Sequence, residues 1–323
     1  MSSSDNYRLG PLPWSDEVLV AAAWENPLKA QEWVDEHPGR TFVAGLESLN
    51  AVLRIFERST EKFGKLLAHF HEEAHSGDLF RRNRRSDLEA YEDQFQELLY
   101  VFVSSAMTLV DQTRALSQKV ILPEYDVRVS EIFAKNPRHR FIQELRVDVI
   151  HITLHRPEWQ LAAGRNEELS SSLMLWKKQL TRLSKYKVEA RQFVDDHPNG
   201  IDLGALVVDY SREVCTFHKW LRRAIEIEVG GQINDYLRYL KRVKAVSSHS
   251  FWNFIFQQVI IASKRDPYKY LDQYLTDEEL NEVNILPFRS RQQIDRIIKL
   301  VDEYEACDDK LRQTIYKAFG ALE

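Results

Sequence analysis

Cysteine is almost missing from this chain. Cys215 and Cys307 are its only two, and neither belongs to a C-x-x-C pair. That excludes a cysteine-based zinc site, leaves no disulfide framework to expect, and fits a reducing, cytoplasmic compartment. Glycine (11) and proline (10) are scarce for 323 residues. All-β folds need many turns, which these two residues build, so their scarcity argues for long helices. Long hydrophobic runs are missing too. The most apolar stretch, Phe251 to Ala262, is interrupted by Gln257 and Gln258 and is too short to span a bilayer, so no membrane association is expected. Residues Met1 to Trp14 show no basic start followed by an apolar run, so no signal peptide is expected. Nor is there an excess of positive charge. The net charge of −5 and pI near 6.1 exclude a strongly basic, DNA-coating protein. Local basic clusters remain able to hold nucleic acid.

The residues that are present point one way. Hydrophobic residues make up 44% and charged ones 29%, which suits helices with one buried and one solvated face. The expected fold is mainly α. A flexible arm and short helices occupy 1–40, a helical bundle with a small inserted β-hairpin near 153–175 occupies 41–229, and a C-terminal helical region occupies 230–323. Ser15 and Asn26-Pro27 read as helix starts, and Pro38-Gly39 as a stop. Leu46, Leu49, Leu53, Phe56, Phe63, Leu67 and Phe70 recur at helical spacing. So do Leu88, Tyr91, Phe95, Leu98, Phe102, Leu109 and Leu116, behind a capping box at Ser86 and Glu89. These two seams predict an antiparallel helical hairpin over 41–75 and 87–119. A helix from about Val127, restarted at Asn136-Pro137, should reach about Ile152, with Ile142, Leu145, Val149 and Ile152 as its core stripe. Two strands are expected around Gly164-Arg165-Asn166, then helices over 176–196 and 201–228. Gly230-Gly231 reads as an internal boundary, with helices beyond it near 232–245, 249–264 and 267–275. Capping boxes are expected at Thr276/Glu279 and Ser290/Gln293. Trp33-Val34-Asp35-Glu36-His37-Pro38 is echoed by Phe193-Val194-Asp195-Asp196-His197-Pro198, which reads as a recurrent helix stop.

Three constellations bear on chemistry. His71-Glu72-Glu73-Ala74-His75 matches H-E-x-x-H. Glu72 falls on the outer face, Glu73 adds a charge inside the motif and Ser76-Gly77-Asp78 ends the helix at once, so no metal or other cofactor is expected. Arg81, Arg82, Arg84 and Arg85 flank Asn83 in the hairpin loop, where they could grip phosphates or an acidic partner, or simply be solvated. The third runs from Arg138-His139-Arg140-Phe141-Ile142 through Leu145-Arg146-Val147-Asp148 to His151.

Arg146 and His151 are separated by four residues. This resembles the R-x4-6-H motif of the HEPN superfamily, and Phe-Ile-x-x-Leu-Arg-x-x-x-x-His is similar to a helix found in many bacterial proteins. The resemblance implies a small HEPN-like helical bundle, RNA as substrate, metal-independent endoribonuclease activity in toxin or defence systems, and a homodimer that pools two motifs. In such a site His151 moves the proton, Arg146 stabilises phosphoryl charge, and Asp148, three residues before His151, orients the imidazole. Arg138 and Arg140 would hold RNA. Where the bacterial helix often has Asn after the arginine, this chain has Val147. The alternative is a non-catalytic helical scaffold that binds a protein partner. In it Arg140 pairs with Glu144 and His151 with Asp148 as ordinary helix neighbours.

Overall fold

The computed structural model describes residues 12–75, 77–151, 158–163 and 169–322; the side chains of 150–151, 161–163 and 169–170 are outside that description. In chain order the helices are α1 (Asp16–Glu25), α2 (Pro27–Asp35), α3 (Pro38–His75), α4 (Arg85–Ser117), α5 (Tyr125–Val129), α6 (Pro137–His151), α7 (Val188–Asp195), α8 (Leu203–Phe254), α9 (Asp277–Asn284), α10 (Arg291–Val301) and α11 (Asp309–Phe319). The strands are β1 (Glu158–Ala163), β2 (Leu169–Leu175) and β3 (Ile201–Asp202). The fold is mainly α with one small antiparallel sheet, as the composition requires. No helix among the described residues is long and apolar enough to cross a membrane. Two compact units are present: Phe42–Gly230, and Met1–Thr41 with Gly231–Glu323.

In the first unit, α3 and α4 are both unbroken, and their aromatic seams meet in antiparallel register. Phe56 stacks on Phe102, Phe63 meets Phe95 edge-on, and Phe70 meets Tyr91. All six are buried, which is why a narrow stripe suffices to hold two long helices together. The start of α4 differs from expectation. No side chain caps it, and Ser86 lies inside its first turn. Two 3-10 turns, Asp78–Phe80 and Arg82–Arg84, lead straight into the helix, and Arg84 fixes the junction by bonding Glu73 and Asp87.

Between α5 and α6 the chain forms a π-helical turn, Ser130–Ala134. β1 and β2 pair antiparallel, with Glu158 opposite Met174 and Ala163 opposite Leu169. The turn at Gly164-Arg165-Asn166 and the residues Ile152 to Pro157 lie outside the described residues. A third strand, β3, adds Ile201 opposite Leu175. The helix expected over 176–196 is instead two 3-10 turns followed by the short α7.

α8 runs without interruption through Gly230-Gly231 and ends in a π-helical stretch, Ile255–Ile261. The Gly230-Gly231 pair inside this 52-residue helix costs on the order of 2 kcal/mol of propensity, which the buried apolar residues of the same helix, among them Leu221, Ile225, Tyr239 and Val243, outweigh.

In the second unit, Ser15 and Asn26 cap α1 and α2 as expected. Pro38-Gly39, expected to end α2, begins α3 instead: Pro38 is its first residue. Gly39 is required there, because a Cβ would lie 2.3 Å from the Gln232 carbonyl oxygen. The echoed stop is a shared geometry. The His37 amide donates to Val34, and the His197 amide to Val194, each at 3.1 Å. A 3-10 turn, Pro267–Gln273, replaces the helix expected at 267–275. Thr276 and Glu279 form a capping box. Ser290 caps α10, but Gln293 turns inward: its Oε1 accepts from the Arg289 amide and the Tyr268 hydroxyl, and its Nε2 donates to Val283. Ile294, Ile297, Ile298, Leu311, Ile315 and Phe319 form the core there.

Candidate functional site

Helix α6 begins at Pro137, whose fixed φ suits a first helical position, with the Asn136 side chain accepting from the Arg138 amide. Phe141, Ile142, Leu145 and Val149 form its buried stripe. The polar residues between them define what the helix can do.

Asp148 is the most committed of them, at 1% exposure. Its Oδ1 accepts from Arg182 at 2.9 Å and its Oδ2 from the Tyr186 hydroxyl at 2.5 Å. Burial, then this bond, pushes the Tyr186 phenol well above its ordinary range. Phe141 stacking on Phe193 and Glu144 accepting from the Lys187 amide complete the seam between α6 and the α7 region. Arg146 is half-buried, and its Nε is buried with no hydrogen-bond partner among the described residues. His151 closes α6 on the backbone, but its side chain is outside the described residues. Five helical residues separate the Cα positions of Arg146 and His151 by about 500° of turn, so one helix aims the two side chains about 140° apart.

The remaining arginines are largely spoken for. Arg138 bonds Glu213 at 2.6 Å and Asp209 at 3.2 Å, both on α8. Arg140 donates to the Ala134 carbonyl and to Gln143 Oε1, not to Glu144. In the loop, Arg81 pairs with Asp78, Arg84 with Glu73 and Asp87, and Arg85 with Glu89. Arg82 is exposed. The two arginine groups lie at opposite ends of α4. Arg85 starts that helix, while Arg140 shares a cavity lining with Arg114 near its end. At 1.5 Å per residue that is about 40 Å, too far for one phosphate cradle.

Around the H-E-x-x-H match, His71 and His75 are exposed with ring centres 6.4 Å apart, and His71 Nδ1 lies 3.0 Å from the Ser171 hydroxyl. Glu73 bonds Arg84. Among the described residues no three His, Cys, Asp or Glu side chains are grouped to hold a metal.

Two histidines with no role assigned from sequence prove to be strongly perturbed. His139 and His218 are buried, and burial pushes both imidazoles down to about 4. Arg140 and Arg114 add to the effect at His139, and Arg222 at His218. Gln143 fixes the His139 tautomer. Its Oε1 faces the Arg140 guanidinium, which only donates, so its NH₂ faces His139 Nε2 at 3.0 Å. Nε2 therefore accepts, and Nδ1–H donates to the Tyr210 oxygen at 2.8 Å. Comparison of the chain with protein-family models, with curated proteins and with solved structures gives no match.

Proposed function

We propose that this chain is a non-catalytic helical scaffold or partner-binding protein, in which the Arg146-to-His151 segment serves the fold. Asp148 carries this reading. Its buried carboxylate fastens the chain before α7 to α6 through Arg182 and Tyr186, which is the work of a structural staple. The arginines support it. Arg81, Arg84, Arg85 and Arg138 each face a carboxylate of this same chain, which spends charge that a phosphate backbone would need. Phe251 and Phe254, both exposed and one turn apart on α8, offer apolar surface to a protein partner. The test is a side-by-side measurement of melting and RNA cleavage on Asp148→Ala and wild type. The scaffold reading expects a large drop in melting temperature and no cleavage by either. Cleavage by wild type that vanishes in a normally folded variant would sink it.

A second reading rests on Arg146. A guanidinium with a buried, unpartnered Nε suits a phosphoryl oxygen. On this reading the chain is a metal-independent endoribonuclease of HEPN type, a homodimer acting on RNA in a toxin or defence system. It would cut RNA in EDTA, leave DNA intact for want of a 2′-hydroxyl, and produce 2′,3′-cyclic phosphate ends.

A further inference from the structure

His71 and His75 stand one helical turn apart at the end of α3, and both side chains are exposed. Among the described side chains no other two histidines have that spacing. The H-E-x-x-H match lacks a third protein ligand among the described residues, which takes zinc-protease chemistry away from it. It leaves two imidazoles on one helix face, and residues at i,i+4 are close enough to share one cation.

The fold adds a partner that the local motif does not contain. Ser171 of β2, 100 residues further along the chain, holds its hydroxyl 3.0 Å from His71 Nδ1. In the tautomer whose Nδ1–H donates to Ser171, Nε2 keeps its lone pair for a metal. Metal-bound histidines almost always have their second ring nitrogen held in this way. The two ring centres are 6.4 Å apart. Two imidazoles on one four-coordinate metal have centres about 4.5–5.3 Å apart, given metal–nitrogen bonds of about 2.0–2.1 Å. A turn of the exposed His75 ring closes that gap and leaves the Ser171 bond intact.

The electrostatics favour a cation there. The pair closes a 38-residue helix, whose C-terminus is its negative pole, and Glu72 between the two histidines is exposed. Arg81, Arg84 and Arg85 of the following loop are each matched by a carboxylate, which mutes their repulsion. Imidazole nitrogen suits the late first-row metals, whereas Mg²⁺ and Ca²⁺ take oxygen ligands. We propose that His71 and His75, with Ser171 orienting His71, bind one late first-row divalent cation of the Ni²⁺, Cu²⁺ and Zn²⁺ class, water completing its coordination. The bound metal clamps the last turn of α3.

Calorimetric titration of the full chain, without a histidine tag, tests this with Ni²⁺ as the probe and Mg²⁺ as the control. Ni²⁺ is chosen because, unlike Cu²⁺, it does not oxidise the thiols of Cys215 and Cys307. The expected result is saturable Ni²⁺ binding and none of Mg²⁺. His71→Ala and His75→Ala each leave a single imidazole and should weaken Ni²⁺ at least about tenfold. Both side chains are exposed, so neither variant should change the metal-free melting temperature. Ni²⁺ should raise the melting temperature of wild type and of neither histidine variant. Ser171→Ala should weaken Ni²⁺ about tenfold, and Ser171→Thr, which keeps the hydroxyl, should restore it. No saturable Ni²⁺ binding up to about 1 mM, Mg²⁺ binding as tightly as Ni²⁺, or unchanged Ni²⁺ affinity in either histidine variant or in Ser171→Ala would each overturn the proposal.

Discussion

Single residues carry the sharpest consequences. Breaking a buried ion pair strands a charge and costs about 3–5 kcal/mol. Asp148→Ala removes the partner of both Arg182 and Tyr186, so it should lower the melting temperature by about 6–20 °C for a unit of this size, readable by calorimetry. A shift of under 2 °C or so would mean the staple holds little. His139 and His218 set a pH dependence. Their imidazoles sit near 4 in the fold against 6.5 when exposed, so the unfolded chain binds more protons between those values. Stability is therefore full above 6.5 and falls as pH drops toward 4, by about 2 kcal/mol per group at pH 5. Urea unfolding at pH 7 and pH 5 reads this directly, and His218→Phe should roughly halve the loss. Equal stability at the two pH values would refute it. The sequence made Asp148 visible as a neighbour of His151, but its partners Arg182 and Tyr186 lie 34 and 38 residues on, in turns without any period. His139 stood in plain view between two arginines. Its burial was hidden, because it depends on Tyr210, 71 residues away.

At the scale of elements, glycine shows the difference between local propensity and packing. Gly39 and Gly231 both interrupt a helical pattern. A Cβ at Gly39 would press on the Gln232 carbonyl and Tyr236, so Gly39→Ala should destabilise by about 1–3 kcal/mol. At Gly231 nothing lies within 4 Å, so Gly231→Ala should stabilise by about 0.8–1 kcal/mol. Chemical unfolding of the two variants should shift in opposite directions; a shared direction would contradict this. The same contrast explains which elements were legible. The Phe56, Phe63 and Phe70 seam and its mate at Phe95 and Phe102 were readable, because three-four spacing is itself the packing code. The length of α8 was not, since a Gly-Gly pair looks like a stop unless its flanks are known to be packed. Ser86 looked like a cap because the 3-10 turns before it leave no periodic trace. β3 spans two residues, too few to alternate.

For the whole molecule, what matters is whether α6 is a catalytic helix or a core element. Its apolar stripe, the Asp148 bonds and the Arg138 pairs to α8 tie it into the bundle on several sides. Arg146 is the exception, a cation with its Nε buried and unmatched, and it is where an active-site account gains purchase. The most direct test is cleavage of a structured RNA by the pure full-length protein in excess EDTA, with Arg146→Ala and His151→Ala run beside it. The scaffold account predicts intact RNA in all three reactions. RNA cut by wild type to 2′,3′-cyclic phosphate ends, and left whole by both variants at unchanged melting temperature, would contradict it.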